Sequence, residues 1–390
     1  MMELRIGRMA YVTTMDAAHP GAWSGIAYQL WVHFQAAGIG VDRIGPLRSP
    51  WRPDLQACNL VSRFISGKRY LRSRNPGVLK GYARQVRDRI HALDVDLVFS
   101  PGSIPIAYLE TELPLVFWTD ATFQGMVDFY PDYSQLCQTS LDEGHRMEQA
   151  ALERSALALY SSPWAAETAR RHYQVDSNRV AVVPFGPSLA LAPEENDLEG
   201  LIQARVNGLS ARPPRFNLLF IGSDWHRKGG DKALAVASAL LREGVDVALH
   251  VVGAELPASK PGVHGHGFIS TRTQAGRERL AEMFRSATFL LLPTRADCLP
   301  VVLSEACSFG LPFLTTSVGG IPGLFKDGEE GHLFAPDAPP EAYADVICRY
   351  ARRPDDFEAL CRRAQARYER ELNWPFAIRR ALHLMEEVLG

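Results

Sequence analysis

Short runs of Val, Ile, Leu and Phe alternate along the chain with longer stretches in which apolar residues recur at helical spacing. The runs "LRIGRMAYVTT", "VDLVFS", "PLVFWTD", "ALALYSS" and "RVAVVPFG" predict a first set of strands. "FNLLFIG", "VALHVVG", "ATFLLLPT" and "LPFLTT" predict a second set, and "KALAVASALLREG" and "RERLAEMFRSA" read as amphipathic helices between them. Strands that are apolar throughout and separated by helices belong to parallel sheets covered on both faces, the doubly wound α/β class. The rhythm breaks at "GPSLALAPEENDLEGLIQARVNGLSARPPRF", a polar, proline-bearing stretch that reads as an interdomain connection. Two α/β domains are therefore expected, 1–190 and 191–375, with a boundary near residue 190.

At 390 residues the chain is long enough for two domains. A composition of 46% hydrophobic and 22% charged residues is that of a soluble globular protein, and a net charge of -2 argues against nucleic acid as a partner. Cys58, Cys137, Cys298, Cys307, Cys348 and Cys361 form no CxxC pair, which predicts reduced thiols and no zinc site. No apolar run has the length of a membrane span, and the first residues read as a strand rather than a signal peptide. A cytoplasmic protein is expected.

In open α/β sheets ligands gather at the carboxyl ends of strands, so the loops after strands carry the chemistry. After "ATFLLLPT" comes "RADCLPVVLSEA", with Asp297 in the loop and Glu305 about one turn inside the following helix. A helix start offers free N–H groups to hydroxyl and phosphate oxygens, although an acid meeting the dipole and one isolated Glu would also account for the pair. After "LLFIG" comes "SDWHRKGGDKAL", where Arg227 and Lys228 stand beneath Gly222 and ahead of a helix. Two cations there suit a diphosphate, and solvated surface cations are the plain alternative. The glycine spacing is neither GxGxxG nor GxxxxGK[ST].

"FIGSDWHRKGG", "VVG", "HGHGFIS", "LLPTRADCLPVVLSEACSFGLPFLTTSVGGIPGLFKDGEEGHLF" and the late "LNWPFAIRRAL" follow one another in the order and spacing of GT-B glycosyltransferases. They resemble the large retaining group often called family 4, whose signature is E-x7-E followed by EAxxxGxPVxxTxxGGxPE. The resemblance spans the second domain. In the first, "HPGAWSGIAYQLWVHF" and "FWTDATFQGMVDFYPDYS" are similar to one bacterial branch.

The resemblance implies a GT-B fold, two Rossmann-like domains facing each other across a crevice, with a terminal helix 376–390 crossing back onto the first. It implies that Arg227 and Lys228 neutralise the diphosphate of a nucleotide-sugar and that Glu305 accepts hydrogen bonds from the ribose. Asp297 matches the first acid of E-x7-E, whose loop holds the donor sugar with the N–H groups of Cys298, Leu299, Val301 and Val302. Gly267, Phe268 and Ile269 match the segment that cradles the base, and Gly25 the glycine loop approaching the phosphates from the first domain. Two departures stand out: Asp297 replaces the usual Glu, and Asp120 stands where many relatives carry a sugar-contacting histidine.

The expected reaction is transfer of a sugar, hexosyl by resemblance, from a nucleotide-diphosphate sugar to a hydroxyl acceptor with retention. UDP is the first choice of base and GDP the next. The acceptor belongs to lipid-linked glycan, polysaccharide or glycoconjugate synthesis. No cofactor beyond the nucleotide-sugar co-substrate and no metal is expected, since two cations meet the leaving charge. A nucleotide-sugar-binding protein without catalysis, or a sugar-phosphate synthase of the same fold, remain open.

Three smaller groups complete the reading. His264 and His266 alternate with glycines in "VHGHG" and read as a close backbone approach. Asp16, His19 and Trp23 precede Gly25 and suit either a turn or an acceptor contact. The segment 63–89 carries nine cations (Arg63, Lys68, Arg69, Arg72, Arg74, Lys80, Arg84, Arg87 and Arg89) against Asp88 alone. It suits a solvated helix pair, or peripheral contact with anionic lipid at the inner face of the membrane.

Overall fold

A computed structural model of the chain describes residues 6–49, 53–189, 193, 195–210, 214–256 and 260–389. The described residues divide into two compact units, Met1–Pro184 with Trp374–Gly390, and Phe185–Asn373. The sequence expectation of a boundary near residue 190 falls beside residues outside those described.

The first unit holds β1 (Arg8–Val12), β2 (Gly40–Ile44), β3 (Leu97–Ser100), β4 (Leu115–Thr119), β5 (Ser155–Tyr160) and β6 (Val180–Val182) in the order β2-β1-β3-β4-β5-β6, with every pairing parallel. The second holds β7 (Arg215–Ile221), β8 (Asp246–Val252), β9 (Val263–Gly265), β10 (Phe289–Leu292), β11 (Phe313–Thr316) and β12 (Gly331–Phe334) in the order β12-β11-β10-β7-β8-β9, again parallel throughout. β1, β3, β4 and β10 read as continuous apolar runs because helices cover both of their faces.

Strand order reverses once in each sheet. The chain runs from β7 outward through β8 to β9, then returns to the other side of β7 with β10 and continues to β11 and β12. The loops after β7 and β10 therefore part to opposite faces, the place where an open α/β sheet leaves a cleft for ligand. The same reversal in the first sheet falls between β1 and β3.

The polar stretch expected to be a connection contains a helix instead, Glu195–Ser210. Leu198, Ile202, Val206 and Leu209 recur at helical spacing and are buried in the second unit's core. The prolines that suggested a linker lie at its two ends, where they bound the helix rather than interrupt it. Arg205 shares this buried face. Its guanidinium donates to the carbonyls of Phe284 (2.9 Å), Ala287 (2.9 Å), Phe309 (2.8 Å) and Gly310 (3.2 Å). It thereby closes the carboxyl ends of the helices Gln274–Ser286 and Val301–Ser308, where orphan carbonyls and dipole favour a cation.

The helix Trp374–Leu389 packs in the first unit against the helix Ile26–Ala36 and β5. Trp374 stacks on His33 at 5.6 Å between ring centroids and meets Trp118 edge-on at 6.3 Å. No helix among the described residues is long and apolar enough to cross a membrane.

Candidate functional site

The loop leaving β7 is built around glycine. The Gly222 N–H donates to the Val252 carbonyl (2.9 Å), and a Cβ at Gly222 would come within 2.7 Å of the Lys228 side chain. Asp224 turns the loop by accepting from the Arg227 N–H with its side chain (3.0 Å) and from the Lys228 N–H with its carbonyl (3.0 Å). Gly229 is left-handed at φ 79°, and a Cβ there would fall on the Pro293 carbonyl oxygen. That close approach sets the helix Gly230–Arg242 against the end of β10, with Arg227 and Lys228 at its head.

The loop leaving β10 is stitched to this turn. The Arg227 carbonyl accepts from the Arg295 N–H (2.7 Å) and the Thr294 hydroxyl (3.1 Å), and its guanidinium donates to the Ala296 carbonyl (2.9 Å). Arg295 forks onto Asp231 with two bonds of 2.7 and 2.6 Å. Asp297 is buried, bonded by the Lys228 ammonium, with Arg227 Nη1 3.6 Å from the same carboxylate oxygen. Arg227, Lys228 and Asp297, singled out from two separate motifs, thus form one cluster at the reversal point.

Cys298, Leu299 and Val302 are buried and Val301 half-buried along the same loop and the helix start. The Cys298 carbonyl accepts from the Gly320 N–H (2.7 Å), tying this loop to the one after β11. Glu305 lies in the first turns of the helix Val301–Ser308, almost fully buried. Its Oε1 accepts from the Leu189 N–H (3.1 Å). Burial pushes its carboxyl up to about 7, against the opposing pull of the Leu189 and Ser188 N–H groups and Lys228.

The segment expected to hold a base lies beside this cluster. The Gly253 N–H donates to the Gly267 carbonyl (2.9 Å), and the Gly253 backbone abuts Gly222. Ile269 is buried, whereas Phe268 is 79% exposed. His266 bonds His250 ring to ring at 3.0 Å and His264 stacks on His250 at 5.1 Å, with burial lowering His250 to about 4. Cys298 and Cys307 are buried, and burial raises the Cys307 thiol well above its ordinary value, which leaves it a packing residue.

Gly25 and Asp120 belong to the first unit. Gly25 caps the helix Ile26–Ala36 in a left-handed conformation (φ 89°), after Trp23 and Ser24 at φ 48° and 53°. In the same loop Asp16 and His19 accept from the N–H groups of Ala18 and Gly21, at 3.0 Å each. Asp120, half-buried, follows β4, and Thr122 then caps the short helix Phe123–Met126.

Two residues of this architecture escaped the sequence reading. Arg205 stood on the apolar stripe of its helix, the one signal that could have marked it. Glu148, fully buried on the helix Gln138–Arg154, accepts from the Ser103 hydroxyl (2.9 Å) and so braces the loop after β3. Burial raises it to about 7 despite nearby Arg74.

Residues 215–353 match the family described as glycosyl transferases group 1. The D-inositol 3-phosphate glycosyltransferase of Streptomyces scabiei is 30% identical over 201 residues, 47% of this chain and 44% of that protein. The chain thus matches about half the length of that relative. Among solved structures, sucrose-phosphate synthase from Thermosynechococcus elongatus superposes with TM-score 0.68 at 18% identity, over 98% of both chains. Anabaena HepE in complex with UDP-glucose superposes with TM-score 0.62 at 14% identity, over 97% of this chain and 99% of that one. Parallel six-stranded sheets in both units and the superposition on these structures give the chain the GT-B fold, and the segment 215–353 of its second unit matches the glycosyl transferases group 1 family.

Proposed function

We propose that the chain transfers a sugar from a nucleotide-diphosphate sugar to a hydroxyl acceptor, with retention at the anomeric carbon and without a metal ion. The observation that carries this reading is the convergence of Arg227 and Lys228 on Asp297 between the ends of β7 and β10, with Glu305 buried in the next helix. In it the diphosphate rests on Arg227 and Lys228, and the ribose hydroxyls donate to Glu305. Gly267, Phe268 and Ile269 border the base through main chain. Asp297 and the N–H groups from Cys298 to Val302 hold the sugar. Gly25 and Asp120 act from the first unit. UDP is the favoured base, supported by the UDP-glucose complex of the Anabaena neighbour, with GDP next.

The acceptor oxygen bonds the anomeric carbon on the face from which the diphosphate leaves. The bond from that carbon to the phosphate oxygen breaks, and the acceptor proton passes to the departing phosphate. The protein then supplies position and charge: the cations and the helix starts meet the growing negative charge. Lys228 bonded to Asp297 is held at the place where that charge appears.

For the partner, we take the first unit to rest on anionic lipid at the cytoplasmic face of the membrane. Leu60, Val61, Phe64 and Ile65 form one exposed apolar stripe on the helix Pro53–Ser66, at 70%, 53%, 93% and 77% exposure. Arg63, Lys68 and Arg72 flank it, and apolar groups ringed by cations suit an anionic interface.

The test is thermal shift with UDP-, GDP-, ADP- and dTDP-sugars on the wild type and Glu305→Ala, followed by donor hydrolysis and transfer. A rise in Tm with one nucleotide that the variant loses supports the donor site. A shift without turnover favours a binding protein, and no shift with any donor removes the reading.

A further inference from the structure

Three exposed cations of the helix Pro76–Ile90 share one surface cavity. Lys80, Arg84 and Arg87, spaced to share a side of that helix, line a cavity of about 490 Å³ together with Arg154, Tyr108 and Glu110. The volume falls within the roughly 300–1,000 Å³ of small-molecule sites. Among the described residues none of the four cations makes an ion pair, and Arg154 donates only to the Ala150 carbonyl (3.0 Å). Glu110 is the single acid of the lining, so four positive charges face one negative charge. Tyr108 forms a wall with Lys80 Nζ 6.0 Å from its ring centre, and its buried hydroxyl has no hydrogen-bond partner among the described residues.

Arg87 and Arg154 each sit in the last turn of a helix, where a cation meets the dipole. The dipole accounts for Arg87 and Arg154 but not for Lys80 and Arg84 in the same cavity, where Glu110 offsets one of the four positive charges. Arg154 immediately precedes β5 and Glu110 lies just ahead of β4, so the cavity opens at the amino ends of the strands. Gly25 and Asp120 follow the carboxyl ends of β1 and β4, on the other side of the same sheet.

We propose that this cavity is a second anion site, which binds a phosphate-bearing ligand that takes no part in the transfer reaction. Guanidinium forks from Arg84, Arg87 and Arg154 suit phosphate oxygens, Lys80 adds a point charge, and Glu110 accepts from a hydroxyl beside the phosphate. The ligand is a phosphorylated solute or the phosphate of a lipid head group; the chemistry is shared.

Titration calorimetry of the full chain with inorganic pyrophosphate tests it, in wild type, Arg84→Gln/Arg87→Gln and Arg227→Gln/Lys228→Gln. The first double variant is expected to lose one binding event, or to weaken it roughly tenfold, the scale of one or two charge-assisted contacts. That event persists in the second double variant whether or not the donor reading holds. Binding unchanged by Arg84→Gln/Arg87→Gln overturns the proposal, as does binding lost only in Arg227→Gln/Lys228→Gln. Flotation on phosphatidylglycerol vesicles separates the sources. Pyrophosphate-sensitive flotation lost in Arg84→Gln/Arg87→Gln marks a lipid phosphate, and flotation indifferent to both, alongside the calorimetric loss, marks a free solute.

Discussion

Lys228 and Asp297, 69 residues apart in sequence, meet as a nearly buried ion pair that bridges the loops after β7 and β10. Each loop contributes one charge, and Arg227 reaches the same carboxylate from 3.6 Å. The pair fastens the two loops, and in the proposed reaction it stations the cation that meets the leaving diphosphate.

Those two roles separate on mutation. Lys228→Ala leaves Asp297 buried with Arg227 as its remaining cation, and is expected to lower stability by about 1–3 kcal/mol. Adding Asp297→Asn removes the stranded charge and restores part of that loss in urea melts. Turnover falls about a hundredfold or more in Lys228→Ala, from about 2–4 kcal/mol of transition-state stabilisation, and the second substitution does not bring it back. Recovery of both together would make the lysine structural only.

Glu305 gives a pH dependence of known sign. Its folded value, about 7, lies above its ordinary 4.5, so the folded chain holds this proton more tightly than the unfolded chain. Stability from this group is therefore complete below about pH 4.5 and falls as pH rises toward 7, then levels off. Glu305→Gln, which keeps an acceptor for the Leu189 N–H, removes the slope. Urea melts of both proteins across pH 5 to 8 should diverge, with the wild type losing ground toward neutrality.

Arg205 should be intolerant of shortening. Arg205→Ala strands four carbonyls at two helix ends and is expected to cost about 3 kcal/mol or more. Because one of those helices carries Glu305, the midpoint of donor binding should weaken as well. An unfolding midpoint equal to wild type would show that water replaces the guanidinium.

The proposed transfer reaction should proceed in EDTA at its ordinary rate, since in that mechanism Arg227 and Lys228 take the charge a metal would otherwise meet. Loss of turnover in EDTA with recovery in magnesium would contradict the proposed mechanism.

The sheet class was legible in the chain because the central strands are apolar on both faces. The three strands that went unread, β2, β9 and β12, are all at sheet edges. Asp42 and Arg43 interrupt the first, histidines and glycines make up most of the second, and the third is the short GHLF. An edge strand is paired on one side only, and its sequence is correspondingly free. The helix Glu195–Ser210 was hidden by polar ends around a regular buried stripe. Within the site, Arg227, Lys228, Asp297 and Glu305 stood out because motif spacing follows loop geometry. Arg205 and Glu148 did not, because a buried charge is defined by its partners, which lie far along the chain.

The helix Trp374–Leu389 gives the molecule an order of manufacture. The second unit is one continuous stretch and can close as soon as residue 373 has emerged from the ribosome. The first unit, begun earlier, must wait for residues 374–389 before Trp374 covers His33 and Trp118. The half begun first thus closes after the second, and a release of the chain short of Trp374 leaves an aromatic seam open beside a closed neighbour.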